Sequence, residues 1–216
     1  MTDGAALVTD GAGRIGRAIS LALHRAGCAV AIHAQHAAGE AETLRDEIVR
    51  SGGRACVVPA NLADQAAAEL VAAAAAALGP LSLLVNNAVH FAPDEIGRTD
   101  AAGFDRQFAV NLRAPLLLAQ AFARRGGEGA VVNIVDQPGR PPADAVAYTL
   151  SRGALRAATA TLAQALAPRV RVNAVACADP LRPRDPEEIA AAVVYLSRAH
   201  SVTGVTLAVG GGSVPE

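Results

Sequence analysis

The sequence has few cysteines and no excess of charge of either sign, and both shortages exclude classes of protein. Cys28, Cys56 and Cys177 stand far apart, without the paired spacing of zinc or redox motifs. We expect them to be small core residues in a reducing compartment, and we expect no metal site. The 19 basic and 20 acidic residues give a formal net charge of -1 without long runs of one sign, which predicts no nucleic-acid partner.

Long hydrophobic runs are also missing. The longest apolar stretch, residues 66–78, is interrupted by Glu69 and is shorter than the about 20 residues that span a bilayer. The N-terminus enters an apolar run without a charged leader and a long apolar segment of the secretory type. These features predict a cytoplasmic protein with no membrane partner, which acts on small molecules or associates with copies of itself.

Short apolar runs, typical of buried parallel strands, alternate with longer helical stretches. With 52% hydrophobic residues the chain can bury a sizeable core, and no linker or repeat divides it, so we expect one domain over residues 1–216. The predicted strands are residues 5–9, 29–33, 55–58, 81–86, 130–135, 170–175 and 205–209. The predicted helices are residues 15–26, 39–51, 63–78, 102–125, 145–166 and 186–197.

This alternation predicts an α/β fold. Right-handed crossovers place helices on both faces of a parallel sheet, so we expect a Rossmann-type doubly wound sheet of about seven strands. Signals at the helix ends agree with this interpretation. Gly27, Gly52 and Gly79 follow predicted helices, and Asp185 precedes Pro186 at the start of the last helix.

A glycine-rich turn, with Gly11, Gly13 and Gly16, connects the first predicted strand to the first predicted helix. Glycines let the backbone turn sharply and approach a dinucleotide pyrophosphate, whose charge is stabilised by the N-terminus of the helix. A tight turn without a ligand is the alternative, but the position after the first strand of an α/β chain favours dinucleotide binding.

Two further groups of residues lie where a doubly wound sheet binds its ligands. Asn86 and Asn87 end the fourth predicted strand, at the carboxyl edge of the sheet, although paired asparagines can also cap the next element. Tyr148 and Arg152 lie four residues apart and therefore on one face of a predicted helix. Taken alone, this pair is more typical of a core tyrosine beside a solvated arginine.

In combination, these motifs resemble the short-chain dehydrogenases/reductases over essentially the whole chain. The matching segments are the glycine turn, Asn86-Asn87-Ala88, Asn111, the Tyr148 segment and Arg171-Val172-Asn173. Within that family the chain looks most like the pteridine reductase branch. Asp136 stands where most members have a catalytic serine, and Phe91 stands near the place of an aromatic residue that stacks on the substrate ring.

The resemblance implies an oxidoreductase that transfers hydride to a pterin-like or other small cyclic carbonyl or imine substrate. Tyr148 would donate the proton, and Arg152, in place of the family's lysine, would lower the pKa of the phenol and reach the nicotinamide ribose. Asp136 would orient the donor and relay protons, and Asn111 would hold a water in that relay. Phe91, Asp136 and Tyr148 would contact the substrate.

The resemblance also assigns a cofactor site. NADP(H) is favoured over NAD(H), because residues 33–36 contain no acidic residue of the kind that selects NAD, and Arg14 and Arg17 lie near the turn. The residues implied in cofactor binding are Gly11, Gly13, Arg14, Ile15, Gly16, His36, Asn61, Asn87, Ala88, Tyr148 and Arg152.

Three departures from the family pattern favour an alternative, a catalytically weakened member that acts as a nucleotide-binding or interaction subunit. Asp10 replaces the first glycine of the turn and brings a negative charge close to the cofactor phosphates. Arg152 replaces a lysine, and its planar fork donates in different directions. The segment at residues 177–185, where the family has a substrate-covering loop, is short.

The two long helices predicted at residues 102–125 and 145–166 resemble those through which the family forms dimers and tetramers. Small residues in the second helix, namely Ala147, Ala154, Ala157 and Ala158, permit close helix approach. This surface could also pack within the monomer, but a homo-oligomer, dimer or tetramer, is the expectation.

Overall fold

Seven parallel strands form one sheet in a computed structural model, which describes residues 4–64, 67–137, 144–177 and 186–210. The strand order is β3-β2-β1-β4-β5-β6-β7, and each neighbouring pair is parallel. The strands are β1 (Ala5–Val8), β2 (Ala29–Ala34), β3 (Ala55–Pro59), β4 (Leu81–Asn86), β5 (Gly129–Asp136), β6 (Val170–Cys177) and β7 (Thr206–Val209). The predicted doubly wound sheet is therefore confirmed.

Helices cover both faces of this sheet. They are α1 (Arg14–Arg25), α2 (Ala38–Arg50), α3 (Ala67–Leu78), α4 (Ala101–Phe108), α5 (Ala114–Arg124), α6 (Val146–Leu166) and α7 (Pro186–Arg198). One apolar cluster packs α1, α2 and α7 against the sheet, and a second packs α3, α5 and α6 against the opposite face. No helix among the described residues combines the length and apolarity needed to cross a membrane.

The strands are buried because they are apolar on both faces. All four residues of β1 are buried, and its central Leu7 pairs with Ala31 of β2 on one side and Leu84 of β4 on the other. The chain crosses to the opposite half of the sheet after β3, so that β1 and β4 are neighbours. The chain leaves the carboxyl ends of these two strands toward opposite helical layers, which opens the crevice where folds of this kind bind ligands.

Two predicted helices differ from the structure. The helix expected at residues 63–78 does not include residues 63 and 64, which lie in a turn because the side chain of Asn61 accepts a hydrogen bond from the Ala63 N–H at 3.1 Å. The helix expected at residues 102–125 contains a π-helical turn, Ala109–Arg113, between α4 and α5. The expected cap at Asp185 and most of the shortened segment at residues 177–185 lie outside the described residues.

Candidate active site and cofactor cleft

The glycine turn after β1 has no room for larger side chains. The Gly11 N–H donates to the His33 carbonyl at 2.9 Å, and the Gly13 N–H donates to the Asp10 carbonyl at 3.2 Å. A Cβ atom at Gly11 would lie 2.9 Å from the Val8 carbonyl oxygen, and one at Gly16 would collide with the backbone of Asp10. Gly11 and Gly16 therefore shape the turn itself, as the sequence predicts.

The N-terminus of α1 has no side-chain cap. Its N-cap residue is Gly13, and its first turn contains no acidic residue, so no side chain caps its first N–H groups. Unsatisfied N–H groups at a helix N-terminus form a site for phosphate oxygens. Arg14 is exposed beside them, whereas the Ile15 side chain is buried in the core. Ile15 can therefore contact a cofactor only through its backbone.

Asp10 places a carboxylate at this same helix end. Its backbone is left-handed, with a φ of 49°, a conformation that favours glycine. The carboxylate lies against Gly13, where an added Cβ would stand 2.5 Å from the Asp10 Oδ2. Burial raises the pKa of this carboxyl. In its charged form Asp10 would repel phosphates bound at the N-terminus of α1.

A buried histidine, absent from the sequence-based predictions, holds Asp10 in place. The Nδ1 atom of His33 accepts a hydrogen bond from the Asp10 N–H at 3.1 Å. The Nε2 atom of the same ring lies 3.1 Å from the carbonyl oxygen of Ala60, so it carries the proton and donates. Burial lowers the pKa of His33, and the bond to Ala60 opposes that effect. His33 thus links the segments that follow β1 and β3.

Thr9 and Asn87 bind the ends of β1 and β4 together. The Thr9 hydroxyl accepts from the N–H groups of Asn87 and Ala88, both at 2.9 Å. The Asn87 side chain donates to the carbonyl oxygens of Thr9 at 3.0 Å and Asp10 at 3.1 Å. Asn87 and Ala88 therefore fix the glycine turn against β4, and their predicted contact with a cofactor stays a prediction. Thr9 was missed because a threonine at a strand end carries no specific signal.

Tyr148 projects from the first turn of α6 with its hydroxyl buried. The residue is 5% exposed, and its hydroxyl has no hydrogen-bond partner among the described residues. Burial raises the pKa of Tyr148, the Asp136 carboxylate raises it further, and Arg152 has the opposite effect. This result differs from the expected lowering of the phenol pKa, because desolvation outweighs the single nearby cation.

Arg152 is bound to Asp136. Its Nε donates to the Asp136 Oδ1 at 2.9 Å, and its Nη2 donates to the carbonyl oxygen of Ile134 at 2.7 Å. The Arg152 side chain is 3% exposed, and its Nη1 has no partner among the described residues. The structure therefore brings Tyr148, Arg152 and Asp136 together, but it pairs the arginine with the carboxylate.

Phe91 completes the wall beside the phenol. Its ring packs edge-to-face against Tyr148, with centroids 5.1 Å apart and an interplanar angle of 84°. Phe91 remains 38% exposed, so it does not fill a core of its own segment. Phe91 and Tyr148 are therefore in contact, and the predicted contact of Phe91 with a substrate stays a prediction.

Asn111 lies in the π-helical turn and is fully buried. Its Nδ2 donates to the His90 carbonyl at 2.9 Å and to the Ser151 hydroxyl at 3.0 Å, and its Oδ1 accepts from the His90 N–H at 2.8 Å. Both amide protons of Asn111 are therefore used within the protein, and its side chain anchors the segment that carries Phe91. The predicted role of Asn111 in holding a relay water stays a prediction. After His33 and Thr9, Ser151 is a third residue that the sequence did not indicate.

His36 and Asn61 are at the outer end of the predicted cofactor site. His36 is exposed after β2. Asn61 follows β3, and its side chain donates to Asp64 at 2.8 Å and accepts from the Ala63 N–H. Asn61 therefore has a local structural role in its turn, whereas His36 is exposed to solvent and its contact with a cofactor stays a prediction.

The residues present fit a nicotinamide dinucleotide. The uncapped N-terminus of α1 provides N–H donors for a pyrophosphate. At the other end of the cleft, the Tyr148 hydroxyl and the Arg152 Nη1 are buried without partners among the described residues, and a ribose hydroxyl would satisfy both. The Asp10 carboxylate at the N-terminus of α1 opposes the fit.

Comparison with known proteins gives the same result. The family model for short chain dehydrogenases matches residues 4–180, most of the chain. The chain belongs to the short chain dehydrogenase family. It is an oxidoreductase, as are its relatives.

Three proteins illustrate the similarity. FolM alternative dihydrofolate reductase 1 from Brucella canis, solved in complex with NADP, is 41% identical with a TM-score of 0.90, over 98% of this chain and 94% of that chain. A blue fluorescent protein from a metagenomic library, solved with NADPH, is 29% identical with a TM-score of 0.89, over 97% of each chain. L-xylulose reductase of Bos taurus is 38% identical over 79% of this chain and 69% of its own length.

Proposed function

We propose that this short chain dehydrogenase is an NADPH-dependent reductase of a pterin-like or other small cyclic imine or carbonyl, with Tyr148 as the proton donor. The observation that carries the proposal is the buried Tyr148 hydroxyl, which has no partner among the described residues and lies beside both Asp136 and the partly exposed ring of Phe91. A buried, unpartnered donor in a cleft is suited to a ligand that accepts its proton.

The chemistry of the site favours reduction. When bound, NADPH supplies a hydride to the substrate carbon. The Tyr148 hydroxyl then gives its proton to the neighbouring nitrogen or oxygen, so that the double bond becomes a single bond and a tyrosinate remains. The phenol is protonated at neutral pH and can act as the acid. Burial and Asp136 raise its pKa and so make it a weaker acid, which leaves the stabilisation of the tyrosinate to nearby positive charge. The reverse reaction would need the tyrosinate as a base.

Arg152 and Asp136 have complementary roles in this proposal. The Arg152 Nη1 would donate to a hydroxyl of the nicotinamide ribose, since its other donors are held by Asp136 and Ile134. The developing tyrosinate would be stabilised by the guanidinium charge. Asp136 fixes the guanidinium and, because its side chain is partly exposed, would return a proton from solvent to Tyr148.

The substrate class rests on Phe91 and Asp136. The flat ring of Phe91 lies beside the donor and offers a surface for a planar heterocycle. Asp136 stands where most family members have serine, and a carboxylate can accept hydrogen bonds from the N–H groups of a pterin, which a serine does less strongly. The similarity to a FolM alternative dihydrofolate reductase supports the same class.

The preference for NADP(H) rests on the residues around the adenosine end. The segment after β2 has no acidic residue and contains the exposed His36. Arg14 is exposed at the start of α1. Solved structures similar to this chain contain NADP or NADPH. A cation near a 2′-phosphate provides this selectivity.

A second candidate is a nucleotide-binding subunit with weakened catalysis. The Arg152 guanidinium is bound to Asp136, and the Asp10 carboxylate lies at the end of α1 where the cofactor phosphates would bind. Under this alternative, NADPH would bind but no substrate would be reduced.

NADPH oxidation at 340 nm separates the two candidates. Purified protein is incubated with 7,8-dihydrobiopterin, dihydrofolate or L-xylulose, and Tyr148→Phe is compared with Tyr195→Phe, which alters the only other tyrosine, an exposed one. We expect turnover with the pterins, a loss of about 100-fold or more in kcat for Tyr148→Phe, and wild-type rates for Tyr195→Phe. Binding of NADPH without turnover of any carbonyl or imine would support the second candidate.

We also propose that the protein is a cytoplasmic homo-oligomer. Cys28 and Cys56 form no disulfide, as is usual in a reducing compartment. In α6, Ala147 is buried within the monomer, but Ala157 and Leu150 are exposed on its outer face and are available to a second copy. Light scattering after size exclusion would give the mass of the assembly.

A further inference from the structure

Asp94, outside the cleft described above, caps the helix that carries the proton donor. Its two carboxylate oxygens lie 3.2 and 3.0 Å from the backbone N–H of Ala147, the second residue of α6. Tyr148 is the next residue. The N-cap residue of α6, Ala145, has no side-chain oxygen, so this helix takes its cap from a segment 53 positions earlier in the chain.

The backbone of Asp94 is fixed to the same helix end. Its N–H donates to the Asp144 carbonyl at 2.8 Å, its carbonyl accepts from the Val146 N–H at 3.4 Å, and it forms a parallel bridge with Ala145. The Thr99 hydroxyl donates to the Asp94 Oδ2 at 2.9 Å, which sets the orientation of the carboxylate. Its backbone bonds to Asp144 and Val146 and the bond from the Thr99 hydroxyl therefore hold Asp94 in the position from which it caps α6.

The same segment carries Phe91. Buried amides hold it upstream of Asp94, since Asn111 bonds both backbone groups of His90 and the Gln107 Nε2 donates to the Ala92 carbonyl at 3.0 Å. Asp94 then joins this segment to the first turn of α6. The edge-to-face contact between Phe91 and Tyr148 therefore depends on an anchor at each end of the segment.

We propose that Asp94 is a positioning residue for the reaction, which sets the location of the Tyr148 hydroxyl relative to Phe91 by capping α6. This inference rests on the proposed reductase function. Asp94 touches neither reacting atoms nor the cofactor site, so its loss would impair the chemical step and leave cofactor binding intact. A small displacement of a catalytic group is enough to slow an enzyme strongly.

The test compares Asp94→Ala and Asp94→Asn with Asp100→Ala. Asp100 is a matched control because its side chain caps α4 in the same way, accepting from the Gly103 N–H at 2.7 Å, at a distance in the chain from Tyr148. The assay is steady-state oxidation of NADPH with 7,8-dihydrobiopterin. Amide hydrogen exchange of the first turn of α6 is measured on the same proteins.

For Asp94→Ala we expect kcat to fall about 10-fold or more, the KM for NADPH to stay within about twofold of the wild-type value, and exchange at Ala147 and Tyr148 to accelerate. Asp94→Asn retains an oxygen acceptor and should keep most of the activity. Asp100→Ala should lose stability to a similar extent, as judged by Tm, and keep its kcat.

The outcomes distinguish the two proposals. If the wild-type protein oxidises NADPH and Asp94→Ala retains wild-type kcat, the positioning role is wrong and the proposed function stands. If Asp100→Ala loses as much kcat as Asp94→Ala, the effect is general instability, which also overturns the role. If the wild-type protein shows no turnover, the reductase function fails, and unchanged exchange in Asp94→Ala would then remove Asp94 as the anchor of α6.

Discussion

The guanidinium of Arg152 donates to the carboxylate of Asp136 at 2.9 Å, and no hydrogen bond joins it to Tyr148. This pair sets the electrostatics of the candidate site. The positive charge that should favour a tyrosinate is partly neutralised, and the negative charge of Asp136 acts in the opposite direction. The site therefore keeps a protonated phenol.

Removal of the Asp136 charge should lower the pKa of Tyr148. Asp136→Asn retains an oxygen acceptor for the Arg152 Nε, so the guanidinium stays in place while one influence that raises the pKa is lost. We expect tyrosinate absorbance near 295 nm to appear at lower pH than in the wild-type protein. The signal of Tyr148 is obtained by subtracting the titration of Tyr148→Phe. An unchanged or higher titration range for Asp136→Asn would contradict this account.

Asp10→Gly should strengthen NADPH binding. The change removes a carboxylate from the N-terminus of α1 and places a glycine at a φ of 49°, which glycine adopts without strain. We expect the Kd, measured by NADPH fluorescence, to fall about fivefold, or about 1 kcal/mol. Asp10→Asn tolerates the same backbone without the charge, and it should give part of the gain. Weaker binding in both variants would show that the carboxylate assists the cofactor site.

His33 should make stability dependent on pH. It is buried and neutral, its Nδ1 accepts from the Asp10 N–H, and its folded-state pKa is lowered by burial from a usual value of 6.5. The unfolded chain therefore binds a proton that the folded protein does not, and stability rises with pH. The contribution should be fully present above pH 6.5 and should decline as the pH falls below 6.5 toward the lowered pKa of the folded state.

Urea unfolding between mildly acidic and neutral pH checks this expectation. His33→Gln should be less stable at neutral pH and should show a smaller rise of unfolding free energy with pH than the wild-type protein. His200→Gln, which removes an exposed histidine, controls for the loss of one imidazole. Equal slopes for the wild-type protein and His33→Gln would contradict the assignment.

Arg171 should contribute to stability and not to cofactor binding. Its Nη1 donates to the carbonyl oxygens of Leu196 at 2.8 Å and Ala199 at 2.9 Å, and its Nη2 donates to that of Ser197 at 2.8 Å, at the C-terminal end of α7. We expect Arg171→Met to cost about 2 kcal/mol of unfolding free energy, because several carbonyl groups lose a charged donor.

The matched control is Arg198→Met, which removes a single exposed bond to the Ala26 carbonyl and should cost less than about 1 kcal/mol. NADPH affinity should be unchanged in both proteins. Reduced affinity in folded Arg171→Met would mean that the end of α7 is coupled to the cleft.

The composition of the chain affects how the replacement of the family's lysine by Arg152 is interpreted. All 19 basic residues are arginine, and the sequence contains no lysine. The arginine at position 152 therefore agrees with the composition of the whole chain, and its presence alone is weak support for lost activity. The hydrogen bond between Arg152 and Asp136 and the position of the Asp10 carboxylate are stronger support for lost activity, since both are seen in the structure.

Much of the fold could be predicted because the strands are apolar on both faces and the helices are periodic. Leu81–Asn86 is found as expected, whereas the π-helical turn at Ala109–Arg113 was not expected, since its periodicity differs too little from that of an α-helix. The turn at residues 63 and 64 was missed because it depends on a side-chain bond of Asn61.

The residues of the candidate site that belong to a sequence motif could be predicted. The residues whose role depends on a tertiary contact could not. Spacing placed Tyr148 and Arg152 on one face of α6, and the edge of the sheet placed Asn87 near the glycine turn. The roles of Thr9, His33 and Asp94 depend on backbone partners 78, 23 and 53 positions away. Such bonds leave no periodic signal in a single sequence, because only the folded chain brings donor and acceptor together.

Transfer of deuterium from NADPH to the product tests whether the protein is a reductase that uses Tyr148 as its proton donor. The wild-type protein and Tyr148→Phe are incubated with 7,8-dihydrobiopterin and NADPH that carries deuterium at both C4 positions, and the product is analysed by mass spectrometry. We predict that the wild-type product is the tetrahydro form with one deuterium, and that Tyr148→Phe forms none above the rate without protein. Absence of deuterated product with the wild-type protein, or its formation by Tyr148→Phe at the wild-type rate, would contradict the account.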